Sequence, residues 1–247
     1  SSDLAGHQPM ISTDHRYVLS YNGEIYNYRE LRTELEAAGY WFRSKTDSEV
    51  VLHALAHWGT AALPKFNGMF AIALWDPRTG SLHLARDATG MKPLYLTAMA
   101  NGIAFASEVK ALFTLPGVTR RLDAAGLAGT FSYWAPLAPG SIFEGVSSLP
   151  PGHRMVVDDA GARTECYWDW TFPEQPSAVP SEDECAEELR ALLIDAVRLQ
   201  LRADVPVGAY LSGGLDSSII TTIIRNHTDT PLRTFRTVNG RWCREYR

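Results

Sequence analysis

The spacing of apolar residues predicts the elements in order along the chain. YVLSY at residues 17–21 alternates and reads as a short strand. A helical pattern follows, opened by Asn27 as N-cap with Glu30 at the capping-box position and closed by Gly39. A second helix, SEVVLHALAHW, is capped by Asp47 and ended by Gly59, with Val50, Val51, Ala54, Leu55 and Trp58 on one face. From Met69 the pattern changes. MFAIALWD and SLHLARD flank a PRTG turn and read as a hairpin; LYLTAMA and GIAFASE around Asn101-Gly102 read as another. EVKALFTL and LDAAGLAGTF read as helices, and HRMVVDD-AG-ARTECYW as a third hairpin. Locally paired strands with segregated helices predict an α+β domain with antiparallel sheets over residues 1–170.

Residues 171–181, TFPEQPSAVPS, hold three prolines and no periodicity, and read as a linker. A second domain is expected over 182–247. Ser181 and Glu184 form a capping box for a long amphipathic helix reaching about Arg202. VGAYL then reads as a strand, SGGLDSS as a loop, the residues from about Ser217 as a helix, and LRTFRTV as a strand. Strand, helix, strand predicts the opening of an α/β domain with a parallel sheet.

The run Tyr210-Leu211-Ser212-Gly213-Gly214-Leu215-Asp216-Ser217-Ser218 carries the clearest chemistry. A glycine-rich loop between strand and helix presents unpaired backbone N–H groups at a helix N-terminus, where the dipole favours anions. Adjacent glycines let the backbone fold around a phosphate; the serines add hydroxyl donors, and Asp216 is a candidate Mg²⁺ ligand. The Walker sequence is excluded, because the loop lacks its lysine. SGGLDS instead resembles the PP-loop of the ATP-pyrophosphatase families.

In the first half, Asn22 and Gly23 offer a side-chain amide and a backbone N–H suited to an oxyanion hole. Glu24 and Asp47 are acceptor-only carboxylates suited to an ammonium or amide NH₂. Taken singly, Asn22-Gly23 also reads as a turn and Asp47 as a helix cap.

NGEIYNY, K-TDSEV, FNGMFAIALWD, LARDATGMKPLYL, FASEVKAL, IFEGVSSLPPGH and YWDW precede SGGLDSS in fixed order. This series resembles the glutamine-hydrolysing asparagine synthetases, a class II glutamine amidotransferase domain joined to a PP-loop synthetase domain. The resemblance implies an Ntn-hydrolase-like first domain that takes ammonia from glutamine. Asn22 and Gly23 would form its oxyanion hole, and Asn22, Glu24 and Asp47 would bind glutamine. It implies a second site where ATP with Mg activates aspartate as an acyl-adenylate. Leu211, Ser212, Gly213, Gly214, Asp216, Ser217 and Thr237 would bind ATP there, with Asp216 on the metal. A homodimer is implied for the full-length family. Arg86, Asp87 and Lys92 match a family motif and also read as an ion pair steadying a loop.

The match breaks at both ends. The family segment before GHQPM, with its nucleophilic cysteine, has no counterpart here, and Ser1, Cys166, Cys185 and Cys243 match no catalytic position. RTVNGRWCREYR departs from the family after LRTF. The expectation is a fragment, inactive as it stands. A related amide ligase with another carboxylate acceptor, or a non-catalytic glutamine- or nucleotide-binding remnant, fits the same residues.

Composition narrows the rest. A net charge of −5 without basic clusters argues against a nucleic-acid partner. No window approaches eighteen apolar residues, so no membrane span is expected. Three widely spaced cysteines suit a reducing, cytoplasmic compartment better than a disulfide framework.

Overall fold

The computed structural model describes residues 6–100, 102–172, 180–203, 205–238 and 241–246. Asn101 and most of the 171–181 stretch therefore lie outside the described residues, as do the side chains from Thr237 onward. The chain divides into two compact units, Ser1–Thr171 and Phe172–Arg247.

The first unit is α+β. Its strands are β1 (Met10–Ile11), β2 (Val18–Ile25), β3 (Gly68–Asp76), β4 (Ser81–Arg86), β5 (Tyr95–Met99), β6 (Gly102–Ala106), β7 (Val146–Ser148), β8 (His153–Asp158) and β9 (Gly161–Cys166). They form a six-stranded sheet in the order β1-β2-β3-β4-β8-β9 and a three-stranded sheet in the order β6-β5-β7. Every pairing in both is antiparallel.

Helices α1 (Tyr28–Ala37) and α2 (Asp47–Trp58) bury Leu31, Leu35, Val50, Val51, Ala54 and Leu55 against Leu19, Tyr21, Ile25, Phe70, Ile72 and Leu74 of the larger sheet. Ala71, Ala73 and Leu84 meet Leu94, Leu96 and Leu149 in a second cluster. Strand β3 is therefore buried on both faces. Phe70, Ile72 and Leu74 turn to the helices and Ala71 and Ala73 to the other cluster, so this stretch reads as a continuous apolar run. Helix α3 (Val109–Leu112) is only four residues, where EVKALFTL predicted a longer one; α4 covers Ala124–Tyr133.

Three local expectations are corrected. Asn27 precedes α1, but its side chain makes no cap bond. It is drawn instead to the β3 approach, donating to the Lys65 carbonyl and accepting from the Asn67 N–H. Asp47 does not cap α2: Thr46 does, its Oγ1 accepting from Glu49 N–H, and Asp47 is the first helical residue. Asn22-Gly23 is not a turn, because β2 runs on to Ile25. Gly39 behaves as expected. With φ +92 it follows α1, and the Gly39 and Tyr40 N–H groups return to Glu36 and Leu35 in a Schellman closure.

The second unit holds α5 (Glu182–Gln200), β10 (Gly208–Tyr210), α6 (Leu215–His227), β11 (Arg233–Val238) and β12 (Arg241–Tyr246). The Ser181–Glu184 capping box is formed at the start of α5. Strand β10 pairs parallel with β11, as strand–helix–strand requires. The tail, for which the sequence offered no element, folds back as β12, antiparallel to β11. Among the described residues of this unit only Ile223 and Ile224 are buried.

Candidate functional site

Among the described residues, strand β2 has one open edge. Beside it, β1 pairs only with Leu19 and Val18. Further along, side chains take over. The Gln8 carboxamide accepts from Tyr21 N–H and donates to the Tyr21 carbonyl at 2.7 Å. Asp47 Oδ2 accepts from Ile25 N–H at 3.0 Å and from the Tyr21 hydroxyl at 2.8 Å. Burial, then the Asp47 charge and hydrogen bond, push the Tyr21 phenol well above its ordinary pKa, so it stays a donor.

Gly23 lies between these two anchors. Backbone groups two residues apart on a strand point to the same side, so the Gly23 N–H and C=O face the open edge with those of Tyr21 and Ile25. Phe70, its register partner on β3, turns its own N–H and C=O the other way, to Asp87. Only glycine fits here: a Cβ would lie 2.3 Å from the Met69 carbonyl oxygen. Asn22 and Glu24 point to the face opposite Tyr21 and Ile25. Asn22 is exposed, and one N–H of its amide donates to Ser107 Oγ at 3.0 Å.

Asp47 is held from behind. Glu49, 7% exposed, accepts from the Arg43 N–H and from both the N–H and hydroxyl of Ser44. Burial raises its pKa, but His53 and these donors outweigh burial and hold it at about 2. Ser44 Oγ lies 2.9 Å from the capping Thr46 hydroxyl, which ties the clamp to the residue before Asp47. His53 Nε2 stands 3.7 Å from Glu49 Oε1, close enough for its electrostatics but too far for a hydrogen bond, and has no hydrogen-bond partner among the described residues.

Arg86 and Asp87 do steady a loop, but through backbone bonds rather than as an ion pair. Asp87 is fully buried and accepts from the N–H groups of Phe70, Met91 and Lys92 and from the Thr89 hydroxyl. Arg86 donates to the carbonyls of Gly90, Lys92 and Leu149 and to the Ser148 hydroxyl.

In the second unit the SGGLDSS loop joins β10 to α6. Leu211 N–H extends the parallel pairing to the Phe235 carbonyl at 2.8 Å. Gly213 has φ +86, a conformation that favours glycine, and open space where a Cβ would stand. Gly214 precedes the first turn of α6 and makes no side-chain cap, which leaves the helix's first N–H groups without one. Ser212 and Ser217 hydroxyls lie 3.0 Å apart, and the Ser217 and Ser218 hydroxyls donate to the Gly214 carbonyl. Asp216 is exposed on the first turn. Asp216, Ser212 and Ser217 line a cavity of about 610 Å³ with apolar residues of α5, β10 and α6. Thr237 lies on β11, and its side chain is outside the described residues.

The structure thus gathers Gly23, Asn22, Glu24 and Asp47 at one strand end, and Leu211 to Ser217 at one helix start. Sequence reasoning missed Gln8, Thr46 and Glu49. Thr46-Asp47-Ser48-Glu49 carries the Thr-x-x-Glu capping signal, which identifies Thr46 as the cap. Nothing local marks Gln8, whose partner lies thirteen residues away. Cys166 and Cys185 are free and exposed, on β9 and α5. Among the described residues, no cluster of metal-ligating side chains occurs and no helix is long and apolar enough to cross a membrane.

Known proteins match in the same order. The asparagine synthase family matches residues 188–239. Glutamine-hydrolysing asparagine synthetase 3 of Bacillus subtilis (strain 168) is 38% identical over 237 residues, covering 93% of this chain and 38% of that protein. Glutamine-hydrolysing asparagine synthetase 1 of the same strain is 37% identical over 232 residues, covering 93% of this chain and 36% of that protein. The chain therefore spans less than half the length of these relatives. Among solved structures, the glutamine phosphoribosylpyrophosphate amidotransferase of B. subtilis, complexed with ADP and GMP, is 18% identical at a TM-score of 0.49, covering 90% of this chain and 47% of that one. The glutamine amidotransferase domain family matches residues 2–168, more than half of the sequence, and the chain belongs to that family.

Proposed function

We propose that this chain supplies the glutamine site and the ATP-pyrophosphate site of a glutamine-hydrolysing asparagine synthetase. One observation carries the reading: an amidotransferase match is followed, in one chain, by an asparagine synthase match that contains a glycine loop at a helix start. In the first unit, Gly23 N–H and the Asn22 amide are the donors for charge developing on the γ-carbonyl oxygen of glutamine. Glu24 and Asp47 take its α-amino end. Asp47 is suited to this because Tyr21 and Ile25 occupy Oδ2 and fix its direction, leaving Oδ1 as acceptor.

In the second unit, the N–H groups of Gly213, Gly214 and Leu215 and the hydroxyls of Ser212 and Ser217 hold the β,γ-pyrophosphate of ATP. Leu211 and Thr237 border the nucleotide. The β-carboxylate of aspartate attacks the ATP α-phosphorus, the bond to the β-phosphate breaks and pyrophosphate leaves, and the acyl-adenylate so formed has AMP as leaving group in place of a poor one, hydroxide. Ammonia from glutamine then displaces AMP. The donor set fits magnesium, which takes hard oxygen ligands from one or two carboxylates and otherwise from phosphates and water. Asp216, with the Ser212 and Ser217 hydroxyls, would hold it, and when bound it offsets phosphate charge.

Titration calorimetry tests both sites. L-glutamine is expected to bind, and Asp47→Asn to weaken it at least tenfold. Mg-pyrophosphate is expected to bind, and Gly213→Val to abolish that binding while leaving glutamine affinity unchanged. Glutamine heats that survive Asp47→Asn, or pyrophosphate heats that survive Gly213→Val, would overturn the assignment of that site.

A further inference from the structure

On its helix side the larger sheet is only half covered. Among the described residues, the cluster under α1 and α2 takes in Leu19, Tyr21, Ile72 and Leu74 of β2 and β3, reaches β4 only at Ala85, and holds no residue of β8 or β9. The register carries this face outward. Leu74 lies beside His83, His83 beside Val156 and Val156 beside Arg163, and in the next row Ala85 lies beside Arg154. Where the helices stop, a cavity of about 490 Å³ opens between Leu55 and Leu63 of the helix layer and Val156 of the sheet. Small-ligand pockets fall roughly between 300 and 1,000 Å³. Asn22, Gly23, Glu24 and Asp47 do not line it. Leu55, Leu63, Leu74 and Val156 give it apolar walls, and its charges do not balance. Arg16 pairs with Asp76 and Arg163 with Asp158, and all four line the cavity. Arg154 lines it too, but its carboxylate, Glu165, does not, and is half-exposed. Only Nη2 of Arg154 is bonded; its Nε and Nη1 have no partner among the described residues. Burial first, then the Arg154 charge, hold His83 below its usual pKa, so it is neutral near pH 7. Ser81 Oγ lies 3.1 Å from His83 Nε2, and Nδ1 has no hydrogen bond among the described residues.

We propose that this cavity binds a small monocarboxylate with an apolar body, the carboxylate at Arg154 and His83 and the body against Leu55, Leu63, Leu74 and Val156. The site is independent of the glutamine and pyrophosphate readings. The unbonded N–H groups of Arg154 give a carboxylate charge-assisted bonds, and the neutral His83 ring adds a hydrogen bond without a second charge. A cation is repelled by the one arginine that has no carboxylate in the lining. A neutral alcohol leaves that arginine unpaired, and a sugar loses its hydrogen bonds to water against the apolar walls. Glu165 competes for Nη2 from the solvent side, so removing its charge should favour the ligand.

Titration calorimetry of the whole chain with octanoate, 1-octanol and octylammonium tests this, with the methyl NMR signals of Leu74 and Val156 placing the ligand. Octanoate is expected to bind at one site with a Kd of about 1 mM or below, and to move both methyl signals. Octanol is expected to bind about tenfold more weakly, about 1.4 kcal/mol, and octylammonium not at all. Arg154→Gln should bring octanoate down to the level of octanol and leave octanol unchanged. Glu165→Gln, which releases Nη2, should strengthen octanoate by about threefold. Val156→Trp, which fills the cavity, should remove both ligands. Octanol or octylammonium bound as tightly as octanoate, or octanoate affinity untouched by both Arg154→Gln and Glu165→Gln, would overturn the carboxylate assignment. Octanoate that binds Val156→Trp as it binds wild type would place it elsewhere and overturn the site. So would the absence of octanoate binding up to about 10 mM, whether the chain is a monomer or closes this face against a second copy.

Discussion

The two candidate sites both present backbone N–H groups, but they hold them by unlike means. At the β2 edge, Gly23 sits in a sheet whose neighbours are buried and bonded by long-range side chains: Gln8 from thirteen residues away, Asp47 from twenty-two, Asp87 behind Phe70. At the SGGLDSS loop the bonds are local, serine to serine and serine to the Gly214 carbonyl, and the loop is exposed. The packing differs in the same sense. The first unit buries two apolar clusters, whereas α5 of the second leaves Leu189 57% and Leu192 61% exposed. A site that must aim one donor at one carbonyl needs a rigid frame. A loop that wraps a diffuse anionic charge needs only its glycine conformation and the helix start behind it.

Substitutions can break this contrast. Asp87→Ala should act most strongly, because it strands the buried N–H of Phe70 and the part-buried N–H groups of Met91 and Lys92 at once. A loss of about 3–5 kcal/mol is expected, read by urea unfolding of tryptophan fluorescence. Trp41, Trp58, Trp75, Trp134, Trp168 and Trp170 all lie in the first unit. A loss under about 1 kcal/mol would mean that water replaces the carboxylate and that the frame is not rigid there. Leu35→Ala, fully buried, should cost about 2–5 kcal/mol, and Leu192→Ala on α5 within about 0.5. Equal costs would erase the difference between the units.

Acid sharpens the comparison from another side. The folded pKa of Glu49 is held at about 2, below its ordinary value, so its contribution is present above about pH 4.5 and lost as pH falls through 2. The first unit should therefore lose stability on the order of 3 kcal/mol across that window from this residue alone. Compared at pH 5 and pH 2 by urea unfolding, wild type and Glu49→Gln should differ clearly at the first and converge at the second. A constant difference would show that the carboxylate charge is not what the Arg43 and Ser44 donors hold. Thr46→Ala should be milder, about 1 kcal/mol for a lost N-cap, and it should weaken glutamine binding by freeing the start of α2 where Asp47 stands. Unchanged affinity would separate the cap from the position of Asp47.

Much of the fold is legible because its signals are local. The hairpins carry their own turns, Ser181–Glu184 carries its own cap, and the Gly39 closure follows from one glycine. The errors fall where a side chain has two partners to choose from. Asn27 can cap α1 or clasp Lys65 and Asn67, and tertiary contact wins. Asp47 can cap α2 or bind the β2 edge. Thr46 takes the cap, which releases Asp47 for the edge. Asn22, Gly23 and Glu24 were visible as chemistry by resemblance. The openness of the Gly23 edge was not, because it depends on where β1 stops and on how Phe70 is turned.

The central claim is two ligands at two separate sites, and a two-ligand NMR titration of the whole chain tests it most directly. Glutamine should move the Asn22 side-chain amide and the Gly23 backbone amide and leave Gly213, Gly214 and Leu215 in place. Mg-pyrophosphate should do the reverse, and saturation with one should leave the affinity for the other unchanged. Glutamine shifts confined to the SGGLDSS loop, or an absence of any shift at Asn22 and Gly23, would contradict the account.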